Sequence, residues 1–226
     1  MNPKVQLENL KREIEWMLQQ AISTKQTFNA TFAVSEVFAK TNALAIYGDY
    51  FAFSQNVMIS DIQLQLSKLY VENADSITLS KSITLANDLF TEKYYKEKGN
   101  HALGSYADLK NNLDELNERL NELTEPIKNL KLLRDKNLAH FDKKIKNYDD
   151  LDILNQSNPV FLKEAILLIN FVLESLCTIK SIVFNTKLLV HHKDYTHELE
   201  QIAKAIEFYK AEQDKKRGEM IGASKY

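Results

Sequence analysis

The sequence predicts an all-α protein, an antiparallel bundle of long helices with an amphipathic helix near its C-terminal end, and three observations carry that expectation. Glycine and proline are scarce, 5 and 3 in 226 residues, which leaves little material for hairpins or tight βα turns. Apolar residues recur at three- and four-residue steps along most of the chain, the period of one helix face. No stretch alternates apolar and polar residues as a half-buried strand does, and no repeat or low-complexity tract interrupts the pattern. A single helical domain is expected over residues 1–216, with 217–226 as a frayed tail lacking a packing face.

The elements follow in order. Leu7, Leu10, Ile14, Met17, Leu18 and Ala21 lie on one face of a helix over Val5 to Val37, whose later part is richer in Thr and aromatics. A second helix runs from about Asn42 to Tyr70, weakened at Gly48, until Asn73 to Ser76 breaks the pattern. Ser80 can cap a short helix that reaches Phe90, and Lys96 to Ser105, with Gly99 and Gly104, reads as a loop. From Tyr106 the spacing is unusually regular: Leu109, Leu113, Leu116, Leu120, Leu123, Ile127 and Leu130 alternate steps of four and three, the seam of packed helices. Thr124-Glu125-Pro126 inside it admits either two helices or one kinked helix. Asn147 to Ser157 is turn-like, and Asn158-Pro159 opens an apolar helix to about Leu189. Asp194 or Thr196 can cap a last helix to about Lys215. Phe28, Phe32, Phe51, Phe53, Phe161 and Phe171 sit at helical spacing and are expected in the core.

A net charge of −2 gives no global field for nucleic acid or an anionic membrane, so any such partner must use a local patch. The lone Cys177 cannot form an internal disulfide and sits in an apolar run. Met1 to Leu10 lacks the apolar core of a secretory signal. The most apolar stretch, Ala165 to Cys177, is interrupted by Asn170 and Glu174 and is shorter than the ~20 residues of a membrane span, so it reads as a buried helix. A cytoplasmic protein with no membrane partner is the expectation.

Past Leu130 the seam predicts apolar residues at 134, 137, 141 and 145, where the sequence supplies Arg134, Asn137, Phe141 and Ile145. A buried, unpaired guanidinium costs several kcal/mol, so Arg134 must meet a carboxylate, line a wet cleft or face an anionic partner. The same region is basic. Pro126 to Asn147 holds seven basic residues against two acidic ones, whereas Tyr106 to Glu125 holds two against six. A phosphate complements such an island, since the guanidinium fork matches two of its oxygens.

The run Arg134-Asp135-Lys136-Asn137-Leu138-Ala139-His140 resembles the Arg, polar residue, then His pattern of the HEPN superfamily of helical nucleases. With Ala139-His140-Phe141-Asp142, and with Asp61 to Tyr70 followed by Ile77-Thr78-Leu79, it is most similar to the abortive-infection AbiU-type branch, over about Ala43 to Lys187. The resemblance implies a HEPN-like bundle and a metal-independent endoribonuclease without cofactor, working as a homodimer in phage defence. Arg134 would bind the scissile phosphate, and His140 would serve in acid-base chemistry during attack of a ribose 2′-OH. Asp135, Asn137, Asp142 and Asp61 would support them, and Lys131, Lys136, Lys143 and Lys144 would contact RNA. Some HEPN toxins carry a Tyr two residues after the His, where a nucleotidyltransferase partner modifies them; Asp142 occupies that place here. A regulatory antitoxin or nucleotidyltransferase remains an expected partner.

Helix geometry adds its own constraint. Six residues separate Arg134 from His140, roughly 9 Å of rise and an offset near 120° on a regular helix, so one copy converges poorly on one phosphate. Two copies about a two-fold axis would gather two of each in one groove.

Plainer readings stand beside this one. Arg134 can form a structural ion pair with Asp61, His140 can be an interface histidine, and the lysines, Lys128 included, can be a solvated face. The whole can then be a catalytically silent HEPN scaffold that binds RNA or protein. His191, His192 and His197 near Glu198 lack the spacing of a zinc helix, so no metal site is expected.

Overall fold

The computed structural model describes residues 3–72, 76–98, 103–135, 162–186 and 193–223, except for the side chains of residues 46 and 218–223. The described residues form eight α-helices and no strand, the helical bundle expected. They are α1 (Pro3–Lys40), α2 (Gly48–Tyr70), α3 (Leu79–Leu89), α4 (Glu92–Lys98), α5 (Tyr106–Glu122), α6 (Thr124–Leu133), α7 (Leu162–Phe184) and α8 (Thr196–Ala223), with a 3₁₀ turn over Ala43–Tyr47. The chain, expected as one domain, divides into two compact units: Met1–Lys25 with Ser60–His191, and Gln26–Ile59 with His192–Tyr226.

In the larger unit α3, α5 and α7 pack against one another. The core draws Leu10, Ile14 and Met17 from α1, Leu66 and Leu69 from α2, and Leu79 and Ile83 from α3, all fully buried. Helix α7 is its centrepiece. Its 23 residues are long and apolar enough to cross a membrane by length and composition, more than the sequence expectation allowed, yet eleven of them are buried inside the protein. Asn170 and Glu174 do not interrupt it, because Lys25 donates to Asn170 at 3.3 Å and Arg119 clamps Glu174. Asn185, at φ 52°, ends α7 five residues before the expected stop, the left-handed residue that Asn tolerates at a helix end.

Local chemistry corrects several boundaries. Thr78, extended at φ −133° and accepting from the Lys81 amide, caps α3, so Ser80 lies inside its first turn. Lys96 to Lys98, expected in a loop, belong to α4, which Thr91 caps and the Lys96–Glu92 pair at 2.6 Å supports. Ser105 caps α5 by accepting from Asp108. The break before Pro126 makes two helices; Leu123 takes the cap position, and Pro126 sits in the first turn, where its missing N–H has no partner to lose.

The smaller unit closes on Val37, Ala43, Leu44 and Ala203, flanked by Phe38, Phe51, Leu199 and Ile206. The expected helix from Asn42 is split here into the 3₁₀ turn and α2. Lys40 bridges Glu36 at 2.8 Å and Glu200 at 2.9 Å, and their hydrogen bonds push its pKa up to about 12. Asp194 accepts from the Thr196 amide at 2.9 Å at the start of α8, as expected, but the helix continues to Ala223, well past the expected end near Lys215. Among the aromatics expected in the core, Phe28 and Phe171 are buried, but Phe32 and Phe53 are 54% and 68% exposed. Phe161 lies outside the described residues.

Candidate functional site

The two described residues of the sequence motif, Arg134 and Asp135, follow directly on helix α6. Leu130 is fully buried, and the next core position is Leu133, three residues on, so Arg134 falls beside the seam and not on it. The backbone widens into a π-type turn at Arg134 and Asp135, the last residues described there. The Arg134 side chain is only 16% exposed. Its Nε and one terminal nitrogen donate at 2.8 and 2.6 Å to a single oxygen, Oδ1 of adjacent Asp135. Asp61, the internal acid considered for it, instead accepts from Gln65 at 3.1 Å.

Arg119 provides the comparison. Its guanidinium forks onto both oxygens of Glu174 at 2.6 and 2.7 Å and lies 5.2 Å from the Phe171 ring centre. The fork raises the Arg119 pKa and lowers that of Glu174. That arginine joins α5 to α7. Among the described residues Arg134 pairs only with its own neighbour, so its ion pair docks no second element, and Asp135 engages two of its five N–H donors.

Of the other expected site residues, Lys131 is exposed and makes no ion pair among the described residues, while Lys128 lies 3.6 Å from Glu125. His140, Asn137, Asp142, Lys136, Lys143 and Lys144 lie outside the described residues, as do the seam positions Phe141 and Ile145. His191 and His192 also lie outside them, and among the described residues no cluster of His, Cys, Asp or Glu could hold a metal ion. Cys177 is half-buried, and burial pushes its thiol pKa up, as befits an unreactive side chain.

Sequence reasoning missed a cleft of about 420 Å³ where the end of α2, the start of α3 and the α5–α6 corner meet. Leu120, Ile127 and Tyr70 form its apolar part; Glu72, Ser80, Asn121, Thr124, Lys128 and Lys131 supply polar groups. The signal lay in the spacing: Ile127 and Lys131, four residues apart, share one face of α6 just before Arg134. A larger cleft of about 780 Å³ lies between the first turns of α1 and the α3–α4 corner, lined by Leu7, Leu89 and Tyr94, and it contains no residue of the motif.

No family model, curated protein or solved structure matches the chain.

Proposed function

We propose that this chain is a metal-independent endoribonuclease of the HEPN type, working as a cytoplasmic homodimer in abortive-infection defence against phage. The observation that supports it most is Arg134: mostly buried, at the exit of α6, and paired among the described residues only with the residue beside it. A purely structural arginine would be expected to tie two elements together, as Arg119 does. The motif resemblance and the basic run that starts on α6 point the same way.

In the reaction a ribose 2′-OH attacks the adjacent phosphorus, the P–O5′ bond breaks, and a 2′,3′-cyclic phosphate and a 5′-OH result. Arg134 holds the non-bridging oxygens as negative charge accumulates on them. One His140 accepts the 2′-OH proton and the other donates to the leaving 5′ oxygen, a division suited to a group whose ordinary pKa is ~6.5. Asp135 keeps the guanidinium oriented until RNA arrives.

The test is cleavage of total or transfer RNA in excess chelator by wild type, Arg134→Ala and His140→Ala proteins matched for helicity and oligomeric state. The expected result is cutting by wild type and a loss of about 10²-fold or more in each variant. Cutting that survives both substitutions contradicts the proposal. RNA or protein binding without cutting would instead identify a silent HEPN scaffold, with an antitoxin or nucleotidyltransferase as the partner to seek.

A further inference from the structure

We propose that the cleft at the α5–α6 corner is a recognition subsite for a nucleotide of single-stranded RNA flanking the phosphate held by Arg134. The inference rests on the ribonuclease reading and adds where the substrate lies.

Helix geometry supplies the path. Ile127 and Lys131 lie on one face of α6, Arg134 follows one residue beyond its end, and about seven residues of helix rise about 10 Å, the axial length of about three stacked nucleotides. A strand with one phosphate on Arg134 therefore passes Lys131 and reaches the cleft within two or three nucleotides. Charge favours the route: Lys128 and Lys131 line the cleft against one carboxylate, Glu72, with Glu125 3.6 Å from Lys128, whereas α5 presents the exposed Glu115, Glu118 and Glu122 and repels a polyanion.

The cleft's chemistry suits an unpaired base. The partly exposed Leu120 and Ile127 offer apolar contact for its face, with buried Tyr70 forming the floor behind them. The Ser80 hydroxyl and the Asn121 side-chain amide make no hydrogen bond among the described residues, so both remain available to read a base edge. Thr124 is committed, its hydroxyl donating to the Asn121 carbonyl at 2.5 Å. Paired bases hide these edges in a narrow groove, which makes single-stranded RNA the class this cleft fits. Its volume of about 420 Å³ is within the range of small-ligand sites.

The test pairs a binding titration with a cleavage map. Fluorescent single-stranded RNA is titrated in chelator onto the His140→Ala protein and onto the same protein carrying Lys131→Glu, Ser80→Ala or Asn121→Ala, with Lys11→Glu, an exposed residue of α1 outside the cleft lining, as a control. The expected result is binding weakened about tenfold by Lys131→Glu and several-fold by Ser80→Ala and Asn121→Ala, and unchanged by Lys11→Glu. In the otherwise wild-type protein, Ser80→Ala and Asn121→Ala should raise KM, spare kcat and relax the cleavage sequence. Unchanged binding, KM and cut positions in all three variants, in an enzyme that still cuts, overturn the subsite and leave the ribonuclease intact. Binding lost in the variants, by a protein that never cuts, keeps the subsite and ends the ribonuclease. Wild-type protein that neither binds nor cuts RNA ends both.

Discussion

In the larger unit one helix, α7, buries eleven residues, whereas the whole smaller unit buries seven apolar residues among those described, four of them in one cluster. Exposed large apolar side chains are denser in the smaller unit, which holds eight of the fourteen among the described residues, Phe53, Phe208 and Tyr209 among them, in the shorter part of the chain. At its surface the smaller unit is held by Lys40 between Glu36 and Glu200, by Thr41 donating to Glu207 and by Thr196 donating to Glu36. Exposed ion pairs contribute about 0–1 kcal/mol each, while burying one large apolar side chain contributes about 1.5–3 kcal/mol. Local stability should therefore be graded along the chain, highest in α3, α5 and α7 and lowest in α8 and residues 48–59.

The largest expected effect comes from opening the deeper core. Leu176→Ala should cost about 3–5 kcal/mol in denaturant unfolding, because Leu176 is fully buried among neighbours that relax little. Leu44→Ala, in the thinner core, should cost about 2 kcal/mol and speed hydrogen exchange in the smaller unit while leaving α7 protected. Equal loss of protection in α7 would erase the distinction between the units.

Next in size is Tyr70→Phe. The Tyr70 hydroxyl is buried and donates to the Leu168 carbonyl at 2.6 Å, and burial holds its pKa well above the ordinary value, so it stays a neutral donor. Its removal should cost about 1 kcal/mol, read as a lower midpoint with an unchanged m-value.

The Arg119–Glu174 clamp should contribute less, about 0.5–1 kcal/mol, since both side chains are about half exposed. The hydrogen bond from Arg119 depresses the Glu174 pKa in the folded state. Its contribution is therefore complete above the ordinary carboxylate value of 4.5 and is lost as pH falls through the lower folded value. Glu174→Gln should flatten that part of the stability profile; an unchanged acid limb would mean that the clamp does not couple to folding.

Gly48→Ala should stabilise by about 0.5–1 kcal/mol. Gly48 has helical φ and ψ of −53° and −46°, and a Cβ there meets nothing within 4 Å, so alanine only narrows the unfolded ensemble. Smallest of all, Phe53→Ser should shift stability by no more than about 0.5 kcal/mol, because its ring is 68% exposed.

Helix faces were legible from spacing because burial acts on the same 3.6-residue period that the sequence displays: Leu10, Ile14 and Met17, or Leu109, Leu113 and Leu116, needed no further information. Spacing cannot tell which of two adjacent residues carries a seam across a helix end, so Leu133 went unrecognised and Arg134 was placed on the core line. The division into units was hidden because α1 and α2 each run through both ranges without a break in period. Periodicity also gives a stripe of aromatics without saying whether anything covers it, which is why Phe32 and Phe53 were expected inside. At the site, the arginine and its chemistry could be read from one motif, but the cleft beside it could not. Tyr70, Ser80 and Asn121 come from three separate helices, and only folding brings them together.

The most direct measurement is the chemistry of the RNA ends after incubation with wild-type protein in chelator, read by mass spectrometry. A mechanism built on Arg134 and His140 yields 2′,3′-cyclic phosphate and 5′-hydroxyl ends, absent with Arg134→Ala and with His140→Ala. Ends bearing 3′-hydroxyl and 5′-phosphate, or identical fragments from the variants, would contradict it.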